Sequence, residues 1–277
     1  MKKLLITAAF ACTCIFANAQ EMMSKKGTAI LPEAGDWSIG AGASDLIMYF
    51  GNLFTKDNNN NATLSPQVDQ TLVGLYVKDE NTAFRVKLRI GFNTTSNDAF
   101  TTDATYTGTT TPAPTVTDTK GNSMFDLTIG AGLQKSRGKG RLRGIYGAEL
   151  FVNLGTDKDS YTYGNSITST QQTTAAHDFG GNLAGAGRIT EDKRGTSFGF
   201  GLGAFIGAEY FFAPKMSLSA EYGWGLGLNS TGEGETTSEG WDGTNNALKT
   251  QTDKSAGHSS FGLDVSNIGD ITLHFYF

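Results

Sequence analysis

The chain is poor in charge, proline, histidine and cysteine, and each shortage removes a class of protein. Charged residues make up 18% of the 277, against roughly 25% in ordinary soluble domains. The 22 lysines and arginines are outnumbered by 27 acidic residues, a net charge of −5, which excludes a basic nucleic-acid binder. Three histidines are too few for a His-rich metal store, and 5 prolines exclude a collagen-like repeat. Past the N-terminus no apolar run reaches the roughly 18 residues that a membrane-crossing helix needs, so a helical membrane protein is excluded. A membrane β-barrel is not, because it carries its apolar residues at every second position. Glycine, in contrast, is abundant: 36 residues, nearly twice the usual share of roughly 7%.

The first nineteen residues read as an export signal. Lys2 and Lys3 form a charged start, Leu4 to Phe16 an apolar stretch, and Ala17-Asn18-Ala19 a small-residue cleavage site. The mature chain is expected to begin at Gln20, with 20–35 a periplasmic N-terminal segment and 36–277 a single folded domain. Cys12 and Cys14 are the only two cysteines and both lie in the signal. The mature chain then has no disulfide, zinc-thiolate site or thiol nucleophile. Loss of the two lysines leaves 20 basic and 27 acidic residues, a net −7.

From Asp36 onward the dominant signal is alternation with a period of two. It is clearest at 84–92, where Phe84, Val86, Leu88, Ile90 and Phe92 fall on one face and Arg85, Lys87, Arg89 and Gly91 on the other. The pattern recurs eight times. The apolar phase begins with Trp37 and Ile39, continues through Thr71, Val73, Leu75 and Val77, and then 84–92. It resumes at Phe125 to Leu133, Leu142 to Leu154, Phe198 to Tyr210, Leu218 to Leu228, and finally Phe261 to Phe277. Most runs reach the roughly 9–11 residues of a tilted, bilayer-crossing strand. The opposite phase is small or polar, as in Gly199, Gly201, Gly203 and Gly207. Those glycines lack the offset and the following helix of a phosphate-binding loop; they fit a narrow, crowded lumen.

The connections alternate in length. Short ones lie at 78–81, 136–140 and 212–215, long ones at 45–69, 93–122, 155–195 and 230–258. An even-stranded antiparallel barrel has short periplasmic turns and long extracellular loops, and this parity puts both chain ends on the short-turn side. Apolar-phase aromatics gather near the strand ends: Trp37, Phe84, Tyr210, Phe212, Phe275 and Phe277 at one, Phe92, Phe125, Phe198, Phe200 and Phe261 at the other. Such girdles are expected at the two headgroup layers. Residues 93–122 hold 12 threonines with Pro112 and Pro114 and read as extended or mobile. Residues 45–54 break the strand phase and put Leu46, Ile47, Phe50 and Phe54 on one helical face, which predicts a short interfacial helix.

These features resemble a small outer-membrane β-barrel of the OmpA/OmpX type. The segment Leu31-Pro32-Glu33-Ala34-Gly35-Asp36-Trp37-Ser38-Ile39-Gly40 is similar to the opening of Bacteroidetes-type barrel proteins. Ile271, Leu273, Phe275 and Phe277 resemble the C-terminal signal read by the barrel-assembly machinery. The resemblance covers about 31–277. It implies an all-β fold, an eight-stranded antiparallel up-and-down transmembrane barrel, in the outer membrane of a Gram-negative cell. Outer-membrane lipid, lipopolysaccharide and the assembly machinery are its implied partners. It implies function poorly, since such barrels are anchors, adhesins, lipid enzymes and accessory subunits.

The charges of the lumen phase are the candidate site. Arg85, Lys87, Arg89 and Arg143 face Asp126, Glu149, Glu209, Glu221, Asp264 and Asp270. An eight-stranded interior is only wide enough for side chains, and unpaired buried charge is costly, so a salt-bridged plug is expected. A narrow polar pore is the alternative. Lys135, Arg137, Lys139, Arg141 and Arg143 flank one short turn, either as a solvated rim or against anionic headgroups. A catalytic reading would use Asp159, Ser160, His177 and Asp178 of one loop, which lacks a nucleophile elbow. No cofactor, metal or nucleic acid is expected. The sequence thus favours a non-enzymatic structural or surface-interaction barrel, over a small-solute channel and then a lipid-modifying enzyme.

Overall fold

The computed structural model describes residues 23–42, 71–173, 175–184, 187–265 and 270–277. The expected export signal and the expected helix at 45–54 lie outside these residues. What is described is all-β and antiparallel, with twelve strands in one sheet. They are β1 (Trp37–Gly42), β2 (Leu72–Asp79), β3 (Thr82–Thr102), β4 (Thr115–Arg137), β5 (Leu142–Thr162), β6 (Leu183–Ala184), β7 (Gly187–Ala213), β8 (Met216–Thr231), β9 (Gly234–Asp242), β10 (Ala247–Ser255), β11 (His258–Val265) and β12 (Asp270–Tyr276).

Eight of them close on themselves. β1 pairs with β2, and the pairing runs on through β3, β4, β5, β7 and β8 to β12, which returns to β1. The result is a barrel-like ring. The last alternating segment forms two strands that share one partner: β12 lies along Met216–Glu221 of β8 and β11 along Trp224–Thr231. β9 and β10 form a hairpin that extends the sheet beyond the ring, joined to it through the first residues of β7.

Register explains why the alternation is so regular. Phe84 stands opposite Leu133, Leu88 opposite Ile129 and Phe92 opposite Phe125. Leu150 stands opposite Leu202, and Leu202 opposite Leu226. Each ladder therefore sets apolar side chains beside apolar side chains on the outer face, where directly opposed pairs touch. A slip of one residue would turn that whole row inward.

Three expectations are corrected. The phase of β2 is inverted: Val73, Leu75 and Val77 are buried inside the ring, while Leu72 and Tyr76 are on the outer face, Tyr76 packing between Trp37 and Phe84. They point inward because that end of the interior is an apolar cluster, made with Ala83, Phe211, Tyr276 and Ile30. Second, 93–122 is not a loop. β3 and β4 continue in unbroken register to Thr102 and Thr115, leaving only 103–114 as the connection. Third, 155–195 and 230–258 likewise contain the ends of β5 and β7 and the β9–β10 hairpin. Threonine is β-branched and suits a strand wherever both faces are polar.

The segment before β1 has a structural role that the alternation did not foreshadow. Ile30 is buried in the turn-side mouth of the ring, and its carbonyl accepts the Lys215 N–H at 3.1 Å. Lys215 Nζ bonds to Asp36, fastening the segment to the short turn between β7 and β8. The chain thus caps one end of its own ring.

Candidate functional site: the charged interior

The interior is built by the inward phase of every ring strand, in layers. Nearest the short turns is the apolar cap around Ile30. Beside it Tyr276 Oη donates to Glu209 Oε1 at 2.7 Å, and Ser217 Oγ to the same oxygen at 2.5 Å. Arg143 Nη2 donates to the Glu80 carbonyl at 2.5 Å and to Asn81 Oδ1 at 3.0 Å, tying β5 to the first short turn.

The next layer centres on Arg85, only 2% exposed. Its guanidinium makes a fork-to-fork pair with Glu221, Nη1 to Oε1 at 2.8 Å and Nη2 to Oε2 at 2.7 Å. Nη1 also donates to Gln134 Oε1 at 3.0 Å, and Nε lies 3.5 Å from Glu149 Oε2. Lys87 Nζ holds the other Glu149 oxygen at 2.8 Å. Arg85 carries its planar group 4.3 Å from the Phe205 ring centre. Two cations and two carboxylates thus form one connected cluster spanning β3, β5 and β8. Such bidentate, charge-assisted contacts are the strong ones, and they offset the desolvation of the ions. Across the lumen His274 lies between Ser38 Oγ at 3.4 Å and Ser219 Oγ at 3.3 Å.

The glycines of the inward phase make room for interior aromatics. A Cβ at Gly147 would sit 2.6 Å from the Phe205 ring, and one at Gly201 would collide with the Phe151 ring. Above the Arg85 layer lies a cavity of about 610 Å³, lined by Lys87, Glu149, Phe151, Asn153, Asn229 and Ser260 among others.

Of the residues expected in the lumen network, the structure brings Arg85, Lys87, Glu149 and Glu221 together. Arg143 and Glu209 are inside too, but they are held by backbone, amide and hydroxyl partners. Asp126 lies farther up β4, opposite Gly91, outside the Arg85 cluster, and Arg89 lies opposite Thr128. Gln134, Ser217, His274 and Tyr276 were not singled out by charge, yet their inward phase could have found them. Nothing in the alternation points to Ile30. Ile271, Leu273, Phe275 and Phe277 do not share this site; they face outward on β12 and beyond it, Phe277 being 68% exposed.

The loop residues considered for catalysis are engaged separately. Ser160 Oγ lies 3.4 Å from the Gly121 carbonyl, Asp159 pairs with Lys120 and Arg194, and the His177 ring packs edge-on against Phe179. His177 reaches Asp118 through its backbone N–H, at 2.7 Å. This loop is ordered by buried polar hubs. Asn182 accepts the Phe179 N–H and donates to Tyr163 Oη and the His177 carbonyl, while Arg188 bonds Glu239 and the Asn165 carbonyl.

Asp178 gives this lobe a pH signature. The N–H groups of Gly181 and Gly180 each reach its Oδ1 at 2.8 Å, and they hold its carboxyl below the usual range. Because the folded value is depressed below the unfolded one of about 3.9, the turn is supported above that pH. The support is lost as pH falls through the folded value. The amide proton shifts of Gly180 and Gly181 are expected to titrate together, with a midpoint below 3.9; a midpoint at or above it would contradict the bond pattern.

No known protein family matches the chain, and no curated protein matches it in sequence.

Proposed function

We propose that this protein is an integral outer-membrane β-barrel with a structural or surface-interaction role and no enzymatic one. The observation that carries the reading is that the ring is inside out. Its outer face exposes Phe84, Ile90, Phe92, Leu150, Leu202, Ile206, Trp224 and Leu226, each at least 41% accessible, while Arg85, Arg143, Glu209 and Glu221 are within 6% of full burial. In water so large a contiguous apolar surface would drive association; in hydrocarbon it is the ordinary outer face of a barrel. On β3 the apolar rows run from Phe84 to Phe92, roughly 26 Å along the strand, and on β5 from Leu142 to Leu154, roughly 40 Å. With strands tilted by 35–45°, such lengths suit an apolar band about 25 Å tall. Beyond it β3 and β4 continue mostly with polar residues such as Thr94, Ser96 and Thr119, Phe100 being the one large apolar side chain of that part of β3, as suits strands standing in water outside the cell. The export signal expected at 1–19 and the assembly signal expected at Ile271, Leu273, Phe275 and Phe277 fit the same reading, with lipid, lipopolysaccharide and the assembly machinery as partners.

The closed role, as against a small-solute channel, is supported by the two obstructions stacked in the lumen, the Ile30 cap and the Arg85–Glu221 layer. Purified protein should float with liposomes, resist carbonate extraction and show no steady conductance in planar bilayers. Protein that stays soluble would refute the membrane reading; a steady current of porin size would replace the closed role by the channel.

A further inference from the structure

Among the described residues β10 is the end of the sheet: β9 covers one of its edges and no strand covers the other. All nine of its residues are exposed, and its register with β9 has no bulge. Such a strand presents a row of backbone donors and acceptors, a template for another strand. It carries no proline, the residue that most directly blocks pairing.

Within Ala247–Ser255 the central stretch Lys249-Thr250-Gln251-Thr252-Asp253 is complementary to itself when reversed. If two copies pair antiparallel with Gln251 opposite Gln251, then Thr250 meets Thr252 and Lys249 meets Asp253, twice by symmetry. Opposed residues have Cβ atoms roughly 5 Å apart and share a face, and opposite charges there are favourable. Centring the pair on Thr250 instead would put Lys249 opposite Gln251, and centring it on Thr252 would put Lys249 opposite Ser255; both lose the ion pairs. The second lysine is already neutralised within the chain, since Lys254 Nζ lies 3.3 Å from Glu233 and 3.9 Å from Glu235. Gln251 Nε2 bonds Asp253 at 2.8 Å and holds its carboxylate on the shared face.

We propose that β10 is a homotypic docking strand: it binds the β10 of a second copy of this chain, antiparallel and centred on Gln251. One consequence rests on the membrane reading above. β9 and β10 continue the sheet of β7, so in two copies sharing one membrane both β10 strands point the same way along the membrane normal. Antiparallel pairing inverts one copy, so the partners stand in two facing membranes. A nine-residue ladder is far smaller than the standard interface of about 1,600 Å²; many copies on each surface supply the avidity.

Cysteine cross-linking tests the register first in detergent micelles, where no membrane reading is needed. Gln251→Cys places two sulfurs within disulfide range, whereas Lys249→Cys places them roughly 13 Å apart along the ladder. Gln251→Cys should cross-link on the order of tenfold faster than Lys249→Cys alone, and a mixture of Lys249→Cys with Asp253→Cys should cross-link as fast as Gln251→Cys. Equal rates at 249 and 251, or no dimer at 251, would overturn the proposal. Two dye-marked populations of proteoliposomes carrying Gln251→Cys should then yield disulfide dimers of mixed colour. Dimers confined to one colour would overturn the inverted arrangement. Lys249→Asp should reduce vesicle clustering several-fold and Lys249→Asp with Asp253→Lys should restore it; failure of that rescue would count against the ion pairs. Protein that does not float with the vesicles would defeat the membrane reading while leaving the micelle result to decide the dimer.

Discussion

Arg85→Met is expected to destabilise the ring by about 3–5 kcal/mol, the usual cost of removing one partner of a buried ion pair. Glu221 would be left buried at 6% exposure without its two guanidinium bonds, and Gln134 and Glu149 would each lose a partner. The double change Arg85→Met with Glu221→Leu should recover most of that loss, because two apolar groups of similar volume carry no desolvation cost. Glu149 keeps Lys87 in both variants. Urea unfolding followed by tryptophan fluorescence, in micelles or vesicles, gives both values. A single variant within about 1 kcal/mol of the parent, or a double variant no better than the single, would show that the cluster does not act as a unit. The double variant should also stay non-conducting, since Phe205 and the Ile30 cap remain in place.

That cluster was partly legible in the sequence, and the reason is geometric. Once a strand faces apolar surroundings on one side, any charge in its other phase must be inside, so Arg85, Lys87, Glu149 and Glu221 could be placed without knowing their partners. Which of them meet depends on the register between strands far apart in sequence, such as the 136 positions between Arg85 and Glu221, and alternation carries no such information. Hence Glu209, grouped with the cations, does stand opposite Arg143 in the ladder, but its hydrogen bonds come from Ser217 and Tyr276.

The inverted phase of β2 shows where alternation fails. Leu72-Val73-Gly74-Leu75-Tyr76-Val77 is apolar in both phases, so period two cannot choose between them. Tertiary context chooses: Ile30, Phe211 and Tyr276 line the same end of the interior and draw Val73, Leu75 and Val77 inward. The long hairpins fail for the opposite reason. Beyond the apolar belt β3 and β4 are mostly polar, with only isolated apolar residues such as Phe100 and Val116; the periodic signal disappears, and the β-branched threonines are what chiefly still favours a strand. The ring itself was legible because eight runs and three tight turns fix its order.

Leu202→Arg offers the sharpest test of which solvent the outer face meets. Leu202 lies on β7 between Leu150 and Leu226 and is 49% exposed. It stands well inside the apolar run from Phe198 to Phe212. In a bilayer an arginine near midplane on the lipid face costs about 2–4 kcal/mol, and folding into vesicles should weaken by that amount. Thr94→Arg, one outward position beyond Phe92 on β3, should change stability by no more than about 0.5 kcal/mol, because at the belt's edge the cost falls toward zero. If the ring instead stood in water, the order would reverse: an arginine at Leu202 would break up an exposed apolar patch and improve solubility. Equal folding yields for Leu202→Arg and the parent in vesicles, or a better yield without detergent, would therefore sink the membrane assignment. The depth dependence separates this from a packing defect, since Leu202 points away from the interior and its loss opens no cavity among the lumen residues.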